Sequence, residues 1–126
     1  MMRCLLSAVV ALFAFPAVAA EFGAIATSEQ NAAFGYTYDM ASEAEARAGA
    51  MSHCAKAGAG CKVDLVVSGE CGAVSRGYAI KLTGNTYSHT AATGADKDTA
   101  RNAALSACQG AGLRECEIVS WVCEKE

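Results

Sequence analysis

Cysteine is the residue type that most directly indicates chemistry in this sequence. Seven are present, and all but Cys4 lie downstream of an apolar N-terminal stretch: Cys54, Cys61, Cys71, Cys108, Cys116 and Cys123. Structural zinc sites favour cysteines separated by roughly two to four residues, whereas the closest pair here is separated by six. An even number of cysteines in a small exported chain predicts a disulfide framework instead. We therefore expect three disulfides and no metal.

Two histidines offer the base that a hydrolase would need. His53 lies on a predicted helix beside Cys54, and His89 alternates with Tyr87 on a predicted strand. No strained turn of the G-x-S-x-G type places a serine for nucleophilic attack. We expect His53 to be a partly exposed helix residue and His89 to be a surface histidine beside an aromatic ring. We keep a small secreted hydrolase that uses His89 or His53 with nearby acids as the alternative function.

Neighbouring carboxylates give no stronger case for catalysis. Glu43 with Glu45, and Glu115 with Glu117, have the residue types of a glycosidase acid pair, but we interpret both pairs as solvated or capping residues. The sequence also lacks the zinc-protease, phosphate-loop and dinucleotide-binding motifs. We therefore expect a non-catalytic protein without a cofactor.

An aromatic stripe is the best candidate for a binding surface. Phe34, Tyr36 and Tyr38 alternate with small or polar residues, a period of two that is typical of a half-buried strand. Tyr87 lies at the matching place in the second half of the chain, so Tyr36, Tyr38, Tyr87 and His89 form a candidate patch. Because alanine-rich helices leave room for rings, we expect the aromatic side chains to fill the core. If they face solvent instead, they mark a binding patch.

An internal repeat determines which elements carry these residues. Shifted by 54 residues, the stretch AEARAGAMSHCAKAG from Ala44 aligns with DTARNAALSACQGAG from Asp98, and seven positions are identical. Upstream, FGAIA from Phe22 resembles CGAVS from Cys71. Two copies are too few for a solenoid. The repeat therefore predicts one pseudo-symmetric domain, with copies at about 22–71 and 71–123.

Each copy has the pattern strand, strand, helix, strand. Alternation marks the strands, Ser42 and Asp96 are predicted helix N-caps, and glycine turns follow both helices. The predicted fold class is α+β, with a mainly antiparallel sheet and two alanine-rich helices. For the first helix we expect an inward face made of Ala44, Ala48, Met51, Cys54 and Ala55, and for the second one made of Ala100, Ala104, Ala107 and Cys108.

The repeat also predicts which cysteines pair. Six cysteines allow fifteen pairings, but each copy has one cysteine near a helix end and one that opens the next strand. We expect each of these couples to pair within its own copy and the two closing cysteines to pair with each other. The predicted disulfides are Cys54–Cys61, Cys108–Cys116 and Cys71–Cys123.

The N-terminus has the organisation of a cleavable secretory signal. Arg3 is its only charge, an apolar run follows, and small residues end at Ala19 and Ala20. Cleavage there removes residues 1–20 and leaves a single domain, 21–126, in the periplasm or medium. The mature chain has 9 basic and 13 acidic residues, a net charge of −4. That sign argues against nucleic acid and anionic membrane surfaces as partners.

Several segments together resemble a known family. They are GAIA after the signal, the aromatic strand, the helix that ends on A-x-x-x-C, CGAV, and the terminal WVC. From Phe22 to Cys123 the chain is similar to the bacterial secreted family called domain of unknown function 4189. The segment TGNTYSHTAATG departs from that family, whose members commonly have a Gly- and Trp-rich strand there. The resemblance implies an exported domain with this fold and implies no reaction and no catalytic residues.

These observations lead to one functional expectation. A disulfide scaffold without a convergent polar constellation is typical of a non-catalytic exported module that binds a protein, a peptide or an envelope component. The sequence names neither the partner nor the oligomeric state.

Overall fold

A computed structural model describes residues 20–124, with only the backbone of Asn85. The predicted signal peptide, apart from Ala20, lies outside these residues, as does Cys4. Eight elements follow one another: β1 (Phe22–Ser28), β2 (Phe34–Met40), α1 (Glu43–Ala57), β3 (Cys61–Val67), β4 (Cys71–Lys81), β5 (Gly84–Gly94), α2 (Lys97–Gly110) and β6 (Arg114–Cys123).

The strands form two antiparallel sheets of three strands each. The order is β2-β1-β3 in the first sheet and β5-β4-β6 in the second. Each sheet therefore has the first strand of its copy in the centre, and each copy contributes one helix. The predicted α+β class with two similar units is confirmed, and its antiparallel strands are divided between two sheets.

Side-chain caps begin both helices at the predicted places. Ser42 Oγ accepts a hydrogen bond from the backbone N–H of Glu45, at 3.1 Å. The Asp96 carboxylate accepts one from the backbone N–H of Thr99, at 2.8 Å. Such caps satisfy an N–H group that would otherwise lack a partner in the first helical turn.

The buried face of α1 differs from the expected one. Ala46, Ala50 and Cys54 are fully buried against β1, whereas Ala44, Ala48 and Ala55 are exposed. In α2 the equivalent residues are buried as expected, except that Ala107 is exposed: Ala100, Ala104 and Cys108. The α1 prediction was wrong because alanines lie on several faces of that helix, so hydrophobicity alone does not orient it.

Small residues bring α1 close to β2. A Cβ atom at Gly35 would lie 2.4 Å from both the Ala50 carbonyl oxygen and the Cys54 backbone nitrogen. Thr37 Oγ1 donates a buried hydrogen bond of 2.8 Å to the Ala46 carbonyl oxygen. The face of β2 that meets the helix is therefore its small face, and the aromatic residues of β2 point the other way.

The remaining faces of the two sheets pack against each other. Their contact is formed by Ile25, Val67, Val74 and Val122, with Leu65 partly buried beside them. The order of layers is therefore helix, sheet, sheet, helix. Any part of a sheet that extends beyond this contact is left open on its inner face.

Three disulfides join Cys54 to Cys61, Cys71 to Cys123, and Cys108 to Cys116. These are the pairs that the repeat predicts. The first and third connect the end of each helix to the strand that follows it. The second connects the beginning of β4 to the end of β6 and closes the second copy.

Candidate functional site

The aromatic stripe of β2 faces outward. Phe34, Tyr36 and Tyr38 are 42%, 44% and 56% exposed, respectively. The expectation that these rings fill the core was wrong, because the alanine-rich helix does not leave a gap over the sheet. It approaches until its backbone meets Gly35, and a ring on that face would not fit.

These rings line a groove of about 650 Å³ between the two units. One wall is the aromatic stripe of β2, and another is the consecutive run 118–123 of β6, with Arg101 of α2 beside it. We call this the aromatic groove. Its position follows from the packing of the sheets, because β2 contributes no residue to the core between them and its rings stay exposed.

Three of the groove residues, Tyr36, Tyr38 and Trp121, form ordered ring contacts. The rings of Tyr36 and Tyr38 are stacked, with centroids 6.3 Å apart and planes 18° from parallel. Across the groove, Lys97 Nζ lies 4.6 Å from the centroid of the Trp121 ring. These contacts hold flat apolar surfaces at the groove while leaving Trp121 42% exposed.

Arg101 gives the groove a cation. Its Nε atom is buried and has no hydrogen-bond partner among the described residues. Its counterpart in the first copy, Arg47, donates two hydrogen bonds to Glu43, four residues earlier, at 2.9 and 3.0 Å. In the second copy the residue four positions before Arg101 is Lys97. The second copy thus has a cation, Lys97, where the first copy has the acidic partner Glu43.

The structure does not bring Tyr87 and His89 together with Tyr36 and Tyr38. Tyr87 lies on β5, where its ring contacts Tyr78 edge-on at 6.4 Å and the Arg76 guanidinium at 5.2 Å. Neither Tyr87 nor His89 lines the aromatic groove. The four-residue patch expected from the sequence is therefore divided between two places.

The strand register shows why the sequence misplaced Tyr87. Tyr36 pairs with Ile25 of β1, and Ala91 pairs with Val74, the residue equivalent to Ile25 in β4. Ala91 is therefore the counterpart of Tyr36, and Tyr87 lies in an extension of the second hairpin. Its strands have 11 residues each, against seven for β1 and β2.

His89 interacts with the half-buried carboxyl group of Asp64. Burial lowers the pKa of His89, and the opposing attraction of the Asp64 carboxylate is the smaller effect. Burial also disfavours the charged form of Asp64 and so raises the pKa of its carboxyl group. The hydrogen bond of 2.5 Å that Thr27 Oγ1 donates to this carboxylate acts in the opposite direction and is the smaller effect. His89 Nδ1 is buried without a hydrogen-bond partner among the described residues.

The two histidines lie on different elements, His53 on α1 and His89 on β5. His53 and Ser52 are exposed on α1. The Thr27 hydroxyl donates a hydrogen bond to Asp64.

We expect folding stability to fall on acidification because of His89. A histidine whose folded-state pKa is lowered stabilises the fold above its unfolded pKa, and that stability is lost as the pH falls through the folded value. Replacement by the residue of the first copy, His89→Phe, should flatten the melting temperature between about pH 8 and about pH 5.5. The other charged groups that act on His89 are Asp64, Arg76, Lys62 and Glu29. A parallel fall in wild type and variant would assign the pH dependence to these groups instead.

An acidic cluster lies near the C-terminal end of β2. Oxygen atoms of Glu21, Asp39 and Glu124 lie within 4.8 Å of one another. The Asp39 backbone N–H donates to Glu124, and burial together with the Asp39 charge raises the pKa of that carboxyl. Two of the three residues, Glu21 and Asp39, are exposed, and exposed acidic groups are common without a metal, so the cluster carries no metal assignment.

Sequence reasoning missed three residues of these sites: Arg101, Trp121 and Asp64. The first two belong to the second copy, and only the contact between the sheets brings them to the stripe of the first. One signal was available for Arg101. The repeat aligns it with Arg47 and aligns the acidic partner Glu43 with Lys97.

Fold and site together define a small disulfide-bonded α+β domain of two similar sheet-helix units with an exposed aromatic groove. The model of the family described as "Domain of unknown function (DUF4189)" matches residues 22–123, and the chain belongs to this family. No curated protein and no solved structure gives a significant match.

The disulfides indicate an extracellular or periplasmic location, because such bonds persist in oxidising compartments. Among residues 20–124, no helix is long and apolar enough to cross a membrane.

Proposed function

We propose that this protein is a non-catalytic binding module of the periplasm or the extracellular medium, and that its ligand occupies the aromatic groove. The observation that carries the proposal is the outward orientation of Phe34, Tyr36 and Tyr38 along one wall of the groove. Exposed tyrosine and tryptophan side chains gathered at a concave surface are typical of binding sites.

The duplication provides an internal comparison that separates folding from function. By strand register, the counterparts of Phe34 and Tyr36 in the second copy are His89 and Ala91. The same sheet-helix unit thus forms without aromatic rings at these positions. Exposed rings cost solubility and add little packing, so their presence in one copy supports a role in ligand contact.

The arrangement of polar groups supports a non-catalytic role. Catalysis by a histidine requires a nucleophile or a water held within hydrogen-bond reach of the base. The Thr27 hydroxyl donates to Asp64, and His53 is exposed on a helix. The aromatic groove itself contains no histidine and no carboxylate among its lining residues.

We expect a Tyr36→Ser/Tyr38→Ser variant to lose ligand capture while it keeps its fold. The oxidised domain would be immobilised and exposed to envelope and culture-medium extracts, and the captured material compared between variants. Tyr87→Ser is the matched control, because Tyr87 is 59% exposed but lies outside the groove. Melting temperature would verify folding.

A species that wild type and the Tyr87 variant capture, but the double variant does not, is the expected result. Equal capture by all three proteins would exclude the groove as the binding site. Loss of capture on replacing His53 and His89 with alanine, with the tyrosines intact, would favour the hydrolase alternative.

A further inference from the structure

Resting on the proposed function, we propose that the ligand of the aromatic groove is an extended peptide segment with a carboxylate side chain, which adds as a strand to the free edge of β6. Its main chain would pair with β6, its apolar side chains would contact the β2 rings, and its carboxylate would bind Arg101. The partner is therefore a protein with an acidic, strand-forming segment.

The first argument is the shape of the wall that β6 contributes. Side chains of a strand alternate between two faces, and Ser120 and Val122 are buried. Nevertheless the whole consecutive run 118–123 lines the groove. The wall is therefore the edge of the strand, where the main chain is accessible.

The edge of β6 away from β4 has no ladder partner among the described strands, and Asp39 of β2 meets Glu124 just beyond the end of β6. β6 is the outermost strand of its sheet and pairs with β4 alone among the described strands. An edge strand presents N–H and C=O groups without ladder partners, and an extended peptide satisfies them by adding a strand. Sugar rings also stack on aromatic side chains, but they lack the regularly spaced N–H and C=O groups with which a peptide continues a ladder.

The second argument is the charge of the groove. Arg101 has a buried Nε without a partner and forms no ion pair with the described residues. A carboxylate that accepts from the guanidinium would give Arg101 the charge-assisted pair that it lacks in the free protein. Lys97 adds a second positive charge beside Trp121. The first copy shows that the fold does not require an arginine without an acidic partner at this helix position, since Arg47 is paired with Glu43 there.

The test begins with selection from a random peptide library of about twelve residues displayed on phage, against the oxidised mature domain. Trp121 is the single tryptophan of the chain and lines the groove. Its fluorescence therefore reports whether a selected synthetic peptide occupies the site. We expect enriched peptides to contain Asp or Glu flanked by β-branched or aromatic residues and to change Trp121 emission.

Three changes then examine the binding mode separately. Arg101→Gln should weaken binding by about tenfold or more, and a Glu→Gln or Asp→Asn change in the peptide should have a similar effect, because each removes one charge-assisted pair. Methylation of alternate peptide nitrogens should abolish binding, because it removes the donors that pair with β6. Arg47→Gln is the matched control, since it changes the same helix position in the first copy and should leave affinity unchanged.

The outcomes distinguish this inference from the proposed function. Selected peptides without acidic residues, or peptides insensitive to Arg101→Gln and to methylation, would overturn the acidic-strand mode. Failure to enrich any peptide, with oligosaccharides binding in a manner that depends on Tyr36 and Tyr38, would overturn the inference and leave the groove as the site. Peptides that bind the Tyr36→Ser/Tyr38→Ser variant equally and leave Trp121 emission unchanged would overturn both.

Discussion

Replacement of Cys71 and Cys123 by alanine should lower the free energy of unfolding by about 4 kcal/mol through the lost loop closure, in addition to the packing that the sulfur atoms provide. The loss is large because this disulfide closes the longest loop. Its cysteines are 52 positions apart, against seven for Cys54 and Cys61. On the loop-entropy model the shorter bond contributes about 2.5 kcal/mol. Urea denaturation of the oxidised mature domain would measure both losses.

The two disulfides form a matched pair for this comparison. Cys54 and Cys71 are both buried, at 0% and 2% exposure, and Cys61 and Cys123 are both partly buried. Removal of either bond therefore loses similar packing in the folded state. The expected difference of about 1.5 kcal/mol between the two losses then reports the effect of loop length on the entropy of the unfolded chain. Equal losses would show that these bonds act mainly through contacts in the folded state.

The sequence predicted the elements and cysteine pairs well because local signals specify them. Alternation, N-cap residues and glycine turns act within a few residues, and both helices begin at the predicted N-caps, Ser42 and Asp96. The repeat supplied the pairing, because two copies of one helix-to-strand spacing leave only the closing cysteines over.

The orientation of the faces could not be predicted in the same way. Alternation shows that Tyr36 and Tyr38 share a face of β2, but it does not show which face meets the helix. That choice depends on how closely α1 approaches, and it is the absence of a side chain at Gly35 that permits the observed contact. The groove was inaccessible to local reasoning because Arg101 and Trp121 reach it only through packing between the copies.

Gly35→Ala should therefore be among the most destabilising single changes in the domain, at about 3 kcal/mol. The added methyl group would lie 2.4 Å from two backbone atoms of α1. Neither atom belongs to a side chain that could rotate away, so the helix or the strand must move. Movement of α1 would also weaken the hydrogen bond from Thr37 to the Ala46 carbonyl oxygen. Denaturant unfolding of the oxidised domain would measure the loss.

Gly110→Ala is the control for the loss of glycine itself. Gly110 ends α2, and a Cβ atom there would meet nothing within 4 Å, so this change should stabilise the domain by roughly 0.5–1 kcal/mol. The second copy shows how Gly35→Ala could instead be tolerated, because it has a larger residue at the equivalent position. Thr90 occupies the equivalent register position, and its hydroxyl lies 3.3 Å from the Ala104 carbonyl oxygen of α2. A loss below about 1 kcal/mol for Gly35→Ala would mean that α1 can retreat to a comparable position, and that its close approach is a preference rather than a requirement of the fold.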